Sequence, residues 1–328
     1  RPAAGKVTML RIIGKRLATT IPTIVVCSML VFAFRYMLPG GPIQDMLGSG
    51  SGGVVTPAQL HAMEARLGLN QSVPAQYWHW LMGVLHGNLG TSYYSAEPVT
   101  TVLGQRLVPS LELIVGALVV ATIVGGALGI FAAIWRDDRR GRFLLAATGL
   151  GLSVPDFWLA TIAAAVLGLE LKVFPAVGFT PLAQGLWSNL YSVTLPILVL
   201  SIVTGCFLAR HTQGAMSAAL RSPYVRTAWA MGIPGRKVYL HCALRNAMGP
   251  VITFIPLAFA ALVGGTVLVE NVFDIPGLGT EIVSSVSNQD YPVVQGIVLL
   301  VGVLVALLNL LADIVMVLVD PRVRRASA

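Results

Sequence analysis

The sequence predicts an all-α integral membrane protein with six transmembrane helices, on three observations. The first is composition: 55% of the 328 residues are hydrophobic, 11% are charged and the mean hydropathy is +0.78, whereas soluble domains carry about 25% charged residues. The second is a series of long apolar stretches, at about Leu17–Leu38, Leu107–Trp135, Phe143–Leu169, Val193–Ala209, Val251–Val269 and Val293–Val319. Each suits a helix crossing a hydrocarbon core of about 30 Å, the fourth near the lower length limit. The third is where the bases lie: 18 of the 22 Lys and Arg residues fall before the first stretch or after the second, fourth and sixth. Loops rich in Lys and Arg stay in the cytoplasm, so both termini are expected there. The net charge of +8 is therefore topological, and no nucleic-acid partner is expected.

Taken in order, residues 1–38 are read as an N-terminal cytoplasmic segment and the first transmembrane helix. Its basic flank resembles that of a signal peptide, but the apolar run is longer and no A-x-A-like site follows, so a retained anchor is expected. Residues 39–106 form a large external loop region. Its Gly/Ser-rich run, Gly48 to Gly53, disfavours regular structure, while Thr56-Pro57-Ala58-Gln59 reads as a capping box opening a helix that ends near Gly68. Tyr77, Trp78 and Trp80 suit the membrane interface, where a ring is buried and its polar edge stays wet. This region is either an inert connector or a docking or gating surface, and its length favours the second. Residues 107–328 form a five-helix transmembrane core. There Gly125, Gly126, Gly129, Gly264 and Gly265 permit close helix approach, and Pro155, Pro196 and Pro256 kink or interrupt spans.

Between the fourth and fifth spans, in the most basic loop, lies a short segment at 222–232. Ser222 is a preferred N-cap, Pro223 fits the first helical position and Gly232 can close the helix in a left-handed turn. About nine residues make a rod of roughly 14 Å, too short to hold alone in water. Its order must come from packing.

The chain carries little chemistry of its own. It has no G-x-x-x-x-G-K-[ST] loop for a triphosphate, so no nucleotide cofactor is expected in this chain. His79 and His86 read as surface residues, and Cys27, Cys206 and Cys242 imply neither a disulfide framework nor a metal site. Gly48-Ser49-Gly50-Ser51-Gly52 matches G-x-S-x-G formally but lacks the strand-turn-helix setting of a nucleophile. The remaining leads are polar groups inside spans, which are costly in lipid unless they face protein or water. They are Glu112, Asp156 after Ser153-Val154-Pro155, Arg210, and Asp313 with Asn309 four residues before it on the same helix face. Either Asp156, Glu112, Ser153, Asn309 and Asp313 line a path, Asp156 foremost, or they bond between helices as polar glue, the reading that suits Asp313 with Asn309 better.

The stretch Tyr224-Val225-Arg226-Thr227-Ala228-Trp229-Ala230-Met231-Gly232, followed by His241-Cys242-Ala243-Leu244-Arg245-Asn246-Ala247, resembles the EAA loop of ATP-binding-cassette importer permeases. More narrowly, it resembles the dipeptide/oligopeptide permease family. Leu67-Gly68-Leu69-Asn70-Gln71 with Pro74, Gln76 and Tyr77, Gly87-Asn88-Leu89-Gly90-Thr91-Ser92 and Ser110-Leu111-Glu112-Leu113 are similar to that family's first external loop and second span. Glu270-Asn271-Val272-Phe273-Asp274-Ile275-Pro276-Gly277-Leu278-Gly279, Asp290-Tyr291-Pro292, Asn309-Leu310-Leu311-Ala312-Asp313 and Asp320-Pro321-Arg322 resemble its last loop and span.

The resemblance implies a type I importer permease fold in the bacterial cytoplasmic (inner) membrane. It implies a homologous second permease subunit, ATPase subunits, an external substrate-binding protein and a peptide substrate. It makes 222–232 a cytoplasmic coupling helix, with Tyr224, Val225, Arg226, Thr227, Ala228, Trp229, Ala230 and Gly232 meeting the ATPase. Arg226 and Thr227 replace the Glu-Ala that names the motif, and Trp229 and Met231 stand where the family often has bases. Trp229 is therefore expected either to enter an apolar socket in the partner or to lie against lipid headgroups. An ion-gradient transporter using Asp156 or Asp313 stands as an alternative class, and glutathione, nickel chelates or haem as alternative cargoes within the family.

Overall fold

The computed structural model describes residue 14, residues 18–33 and residues 71–319, with side chains to residue 316. Helices make up almost all the regular structure among them, joined by a single isolated bridge between Thr91 and Pro98. The helices are α1 (Ala18–Ala33), α2 (Val73–Leu85), α3 (Val99–Ile134), α4 (Arg139–Leu152), α5 (Asp156–Ala163), α6 (Leu186–Leu220), α7 (Pro223–Ala230), α8 (Gly235–Phe273), α9 (Leu278–Ser287) and α10 (Tyr291–Val319). Helices α3, α6, α8 and α10 are each long and apolar enough to cross a membrane. The pair α4 and α5, the latter continuing as a π-helical stretch to Glu170, supplies a fifth candidate bent by 91°. The first predicted span is described only over Ala18–Ala33, which is shorter than a crossing requires. The predicted Thr56 helix and the Gly48–Gly53 run lie outside the described residues.

The bend bears out the expectation that Pro155 interrupts the span read at Phe143–Leu169. Proline has no N–H to donate and disfavours helical backbone in the residue before it. Helix α4 therefore stops at Leu152, and Pro155 takes an extended conformation (φ −67°, ψ 139°) before α5 begins. Pro196 and Pro256, by contrast, sit within continuous helices. The fifth span also starts earlier than its hydropathy suggests, because a π-helical stretch, Val238–Leu244, joins Gly235–Lys237 to Arg245–Phe273.

The chain divides into two units. The first contains 109–280 and the residues from 307 onward. Its centre is α6, the most enclosed of the spans. Gly125 of α3 lies directly against the Gly205 carbonyl of α6, and a Cβ on Gly129 would sit 2.5 Å from the Ala209 carbonyl oxygen. Close backbone approach supplies packing that hydrophobic transfer cannot supply within lipid. The second unit contains 20–108 and 281–306. In it Phe32 packs with Tyr77 and Trp80 at ring separations of 5.5 and 5.7 Å, and the Ser28 and Tyr77 hydroxyls lie 2.8 Å apart. Of the three predicted interface aromatics, only Trp78 is left largely exposed. The buried Asp290 accepts hydrogen bonds from Ser92 Oγ and from the Tyr93 N–H, pinning the Gly90-Thr91-Ser92 turn to the segment before α10. An Arg106–Glu281 ion pair at 3.0 Å closes the same unit.

Candidate functional site

Helix α7 begins and ends where its caps dictate. Ser222 has the extended backbone of an N-cap (φ −66°, ψ 150°) and Pro223 occupies the first turn. The Ser222 hydroxyl does not cap the helix; it donates backward to the Ala219 carbonyl at 2.5 Å, fastening α7 to the end of α6. At the other end Gly232 takes φ +72°. The Gly232 N–H bonds the Trp229 carbonyl at 3.0 Å and the Ile233 N–H bonds the Ala228 carbonyl at 3.2 Å. This pair of bonds is a Schellman cap, and Ile233 adds the hydrophobic contact that accompanies one.

What holds α7 to the body is a small apolar knot. Val225 and Ala228, three residues apart and so on one face, are buried with Val238, and Leu220, Ile233 and Cys242 pack around them. Of the eight residues expected to meet a partner, these two are instead turned into the chain itself. Tyr224, Arg226, Thr227, Trp229, Ala230 and Gly232 remain exposed, joined by Met231. Trp229 is 45% exposed, with its ring edge-on to Tyr239 at 5.8 Å and against Gly235. Beside it opens a cleft of 480 Å³ between the ends of α3 and α6, lined by Ala133, Ile134, Arg136, Asp137, Arg221 and Tyr239 among others.

The polar groups predicted to line a path separate into distinct places. Glu112 on α3 accepts a hydrogen bond from Asn189 Nδ2 at 2.8 Å, and the same amide donates to the Thr180 carbonyl at 2.9 Å. Its other oxygen is enclosed without a hydrogen-bond partner in the described residues. Asp156 stands at the break between α4 and α5, close to Ser153, whose hydroxyl bonds the Gly149 carbonyl. The Asp156 carboxylate lies over Gly265 of α8 near Leu200, and its Oδ1 likewise has no partner in the described residues. Leu200 is eleven residues beyond Asn189 on α6, or about 16 Å. The structure therefore groups Ser153 with Asp156 and sets Glu112 about half a membrane thickness away. Asn309 and Asp313 lie on α10, and neither is without a partner.

One buried centre was not singled out from the sequence. Glu270, fully enclosed near the end of α8, accepts from Ser110 Oγ at 2.6 Å, from the Gly279 N–H at 2.6 Å and from the Thr280 N–H at 3.1 Å. Ser110 in turn accepts from the Leu278 N–H at 2.7 Å. The carboxylate thus ties α3, α8 and the first turn of α9, meeting N–H groups that a helix start leaves unpaired. The signal was present in the glycines at 277 and 279, either of which would drive a Cβ into Glu270.

Known proteins match this chain over most of its length. Residues 125–325 match the family described as binding-protein-dependent transport system inner membrane component, and residues 9–114 match the N-terminal region of that membrane component. A probable peptide ABC transporter permease of Sinorhizobium fredii is 35% identical over 311 residues, covering 94% of this chain and 98% of the relative. The glutathione transport system permease protein GsiC of Pectobacterium atrosepticum is 37% identical over 316 residues, with 96% and 99% coverage. Its counterpart in Escherichia coli (strain K12) is 36% identical over 316 residues at the same coverage.

Proposed function

Because the chain belongs to the family of binding-protein-dependent transport system inner membrane components, we propose that it is the permease subunit of an ATP-driven importer of di- or oligopeptides. It works in the bacterial inner membrane with both termini in the cytoplasm. ATP and Mg are bound by separate ATPase subunits, a second homologous permease completes the pathway, and an external binding protein delivers the substrate. The observation that carries the coupling role is the build of α7. A helix this short is not stable alone, yet it is capped at its C-terminus and knotted to the body through Val225 and Ala228 while Tyr224, Trp229 and Met231 face outward. Such a rigid exposed rod transmits motion of a docked ATPase into α6 and α8. The peptide cargo is supported by the relatives, one named for peptides and others for glutathione, itself a tripeptide.

Reconstitution with the ATPase, the second permease and the binding protein tests this reading. Uptake is expected to require ATPase and to survive a protonophore while ATP remains; uptake without the ATPase would overturn it in favour of an ion-driven transporter. Trp229→Ala is expected to cut uptake about tenfold, the effect of removing roughly 1.4 kcal/mol of apolar docking, with basal ATP hydrolysis retained. Unchanged uptake would remove Trp229 from the ATPase contact. Asp156→Ala is expected to raise the KM for uptake several-fold while the ATP consumed per substrate stays constant. A variant with the same KM would assign Asp156 to helix packing.

A further inference from the structure

We propose that the cleft beside α7 binds the phosphate of an anionic lipid headgroup, and that its occupancy steadies Trp229. Its position comes first. Ile134, on the cleft wall, lies 22 residues beyond Glu112 on α3, a rise of about 33 Å. Ser217 and Leu220, on the opposite wall, lie 28 and 31 residues beyond Asn189 on α6, about 42 to 46 Å. Both walls therefore stand more than one hydrocarbon thickness of about 30 Å from the Glu112–Asn189 level, where the apolar runs give way to the basic side. The apolar run of α3 ends here, with Trp135, Arg136 and Asp137 following directly.

The lining suits one ligand chemistry. Arg136 and Arg221 both face the cleft, and neither guanidinium has a hydrogen bond or ion pair within the described residues. A single carboxylate, Asp137, shares the lining with them, leaving net positive charge. Guanidinium forks match phosphate oxygens two at a time, which a point charge does not. Tyr239 and Trp229 complete the wall, and rings of this kind concentrate where a bilayer passes from apolar to polar. The volume of 480 Å³ is of the size that holds a small ligand group. Because the walls are the ends of two spans, membrane lipid is already adjacent to the opening. The exposed bases on neighbouring segments, Arg139, Arg140, Arg226, Arg236 and Lys237, attract an anionic leaflet in general, whereas Arg136 and Arg221 give the cleft its specific grip.

The occupant touches Trp229 from the cleft side and leaves Tyr224 and Met231 free. The effect on coupling rests on the proposed role of α7; the binding site itself does not. Native mass spectrometry of the purified transporter complex, given phosphatidylglycerol or phosphatidylcholine, reads the site directly. Wild type is expected to retain phosphatidylglycerol preferentially, Arg136→Gln/Arg221→Gln to lose that retention about tenfold, and Arg139→Gln/Arg140→Gln, with the same change in charge outside the cleft, to keep it. In vesicles, uptake by wild type is expected to rise several-fold when phosphatidylglycerol is added to phosphatidylcholine, and uptake by the cleft variant to stay flat. Equal retention by wild type and the cleft variant, or equal loss in both double variants, would overturn the proposal. Restoration of uptake by inorganic phosphate in pure phosphatidylcholine vesicles would overturn the lipid as the source. Uptake absent from every vesicle would count against the importer reading alone, since lipid retention still decides the site.

Discussion

Gly232→Val is expected to abolish substrate uptake while the chain still inserts and its spans remain folded. The residue sits at φ +72° and closes α7 through the bonds from Gly232 to Trp229 and from Ile233 to Ala228. Left-handed backbone costs an ordinary L-residue roughly 1 to 2 kcal/mol, and a β-branched side chain is the poorest choice there. A helix of eight residues has no reserve of its own to absorb that cost, so the cap opens and Ile233 leaves the Val225–Ala228–Val238 knot. Beyond the adjacent residues no atom lies within 4 Å of a Cβ placed at Gly232, so backbone strain rather than crowding of that Cβ is the first cost of the substitution. Asn tolerates this conformation better than other residues, and Gly232→Asn is expected to recover much of the uptake. Measured together, membrane content, ATP hydrolysis and uptake distinguish the outcomes: normal uptake by the valine variant would remove the ordered cap from the coupling mechanism. Loss of the chain from the membrane would make Gly232 a folding residue.

The limits of α7 were legible because caps are local. Ser222-Pro223 and Gly232 act within one turn of themselves, and the sequence predicts the helix to within a residue or two at each end. Which of its faces meets a partner was not legible, since that depends on Val238 and Leu220 returning from other segments to bury Val225 and Ala228. The third span was legible for the same local reason. Hydropathy runs through Phe143–Leu169, but Pro155 was expected to kink or interrupt it, and the backbone rule for the residue before proline bends the span at Val154. Close helix approach was read correctly at Gly125 and Gly129. At Gly265, however, the space is taken by the Asp156 carboxylate rather than by a neighbouring backbone. A count of small residues registers room without saying what fills it.

Glu270 is where sequence position misled most, because it opens the Glu270–Gly279 stretch that resembles the family's last loop, yet it is fully enclosed. Its enclosure follows from a chain reversal. Asp274 adopts left-handed backbone at φ +53°, the Ile275 N–H bonds back to the Glu270 carbonyl at 2.9 Å, and Gly277 and Gly279 then lie flat against the carboxylate. Glu270→Ala is expected to be the most destabilising single change in the chain. It would orphan the Ser110 hydroxyl and the Gly279 and Thr280 N–H groups together, and each buried unpaired donor costs about 1 to 3 kcal/mol. Accumulation in the membrane should fall sharply, with a lower midpoint for thermal unfolding in detergent. Ser110→Ala removes one donor to the carboxylate and the acceptor for Leu278, so a smaller shift is expected. Because the two residues share one network, the double variant should lose less than the sum of the single losses. Additive losses would mean that Ser110 and Glu270 stabilise the fold independently, and the carboxylate would no longer be what joins α3 to the start of α9.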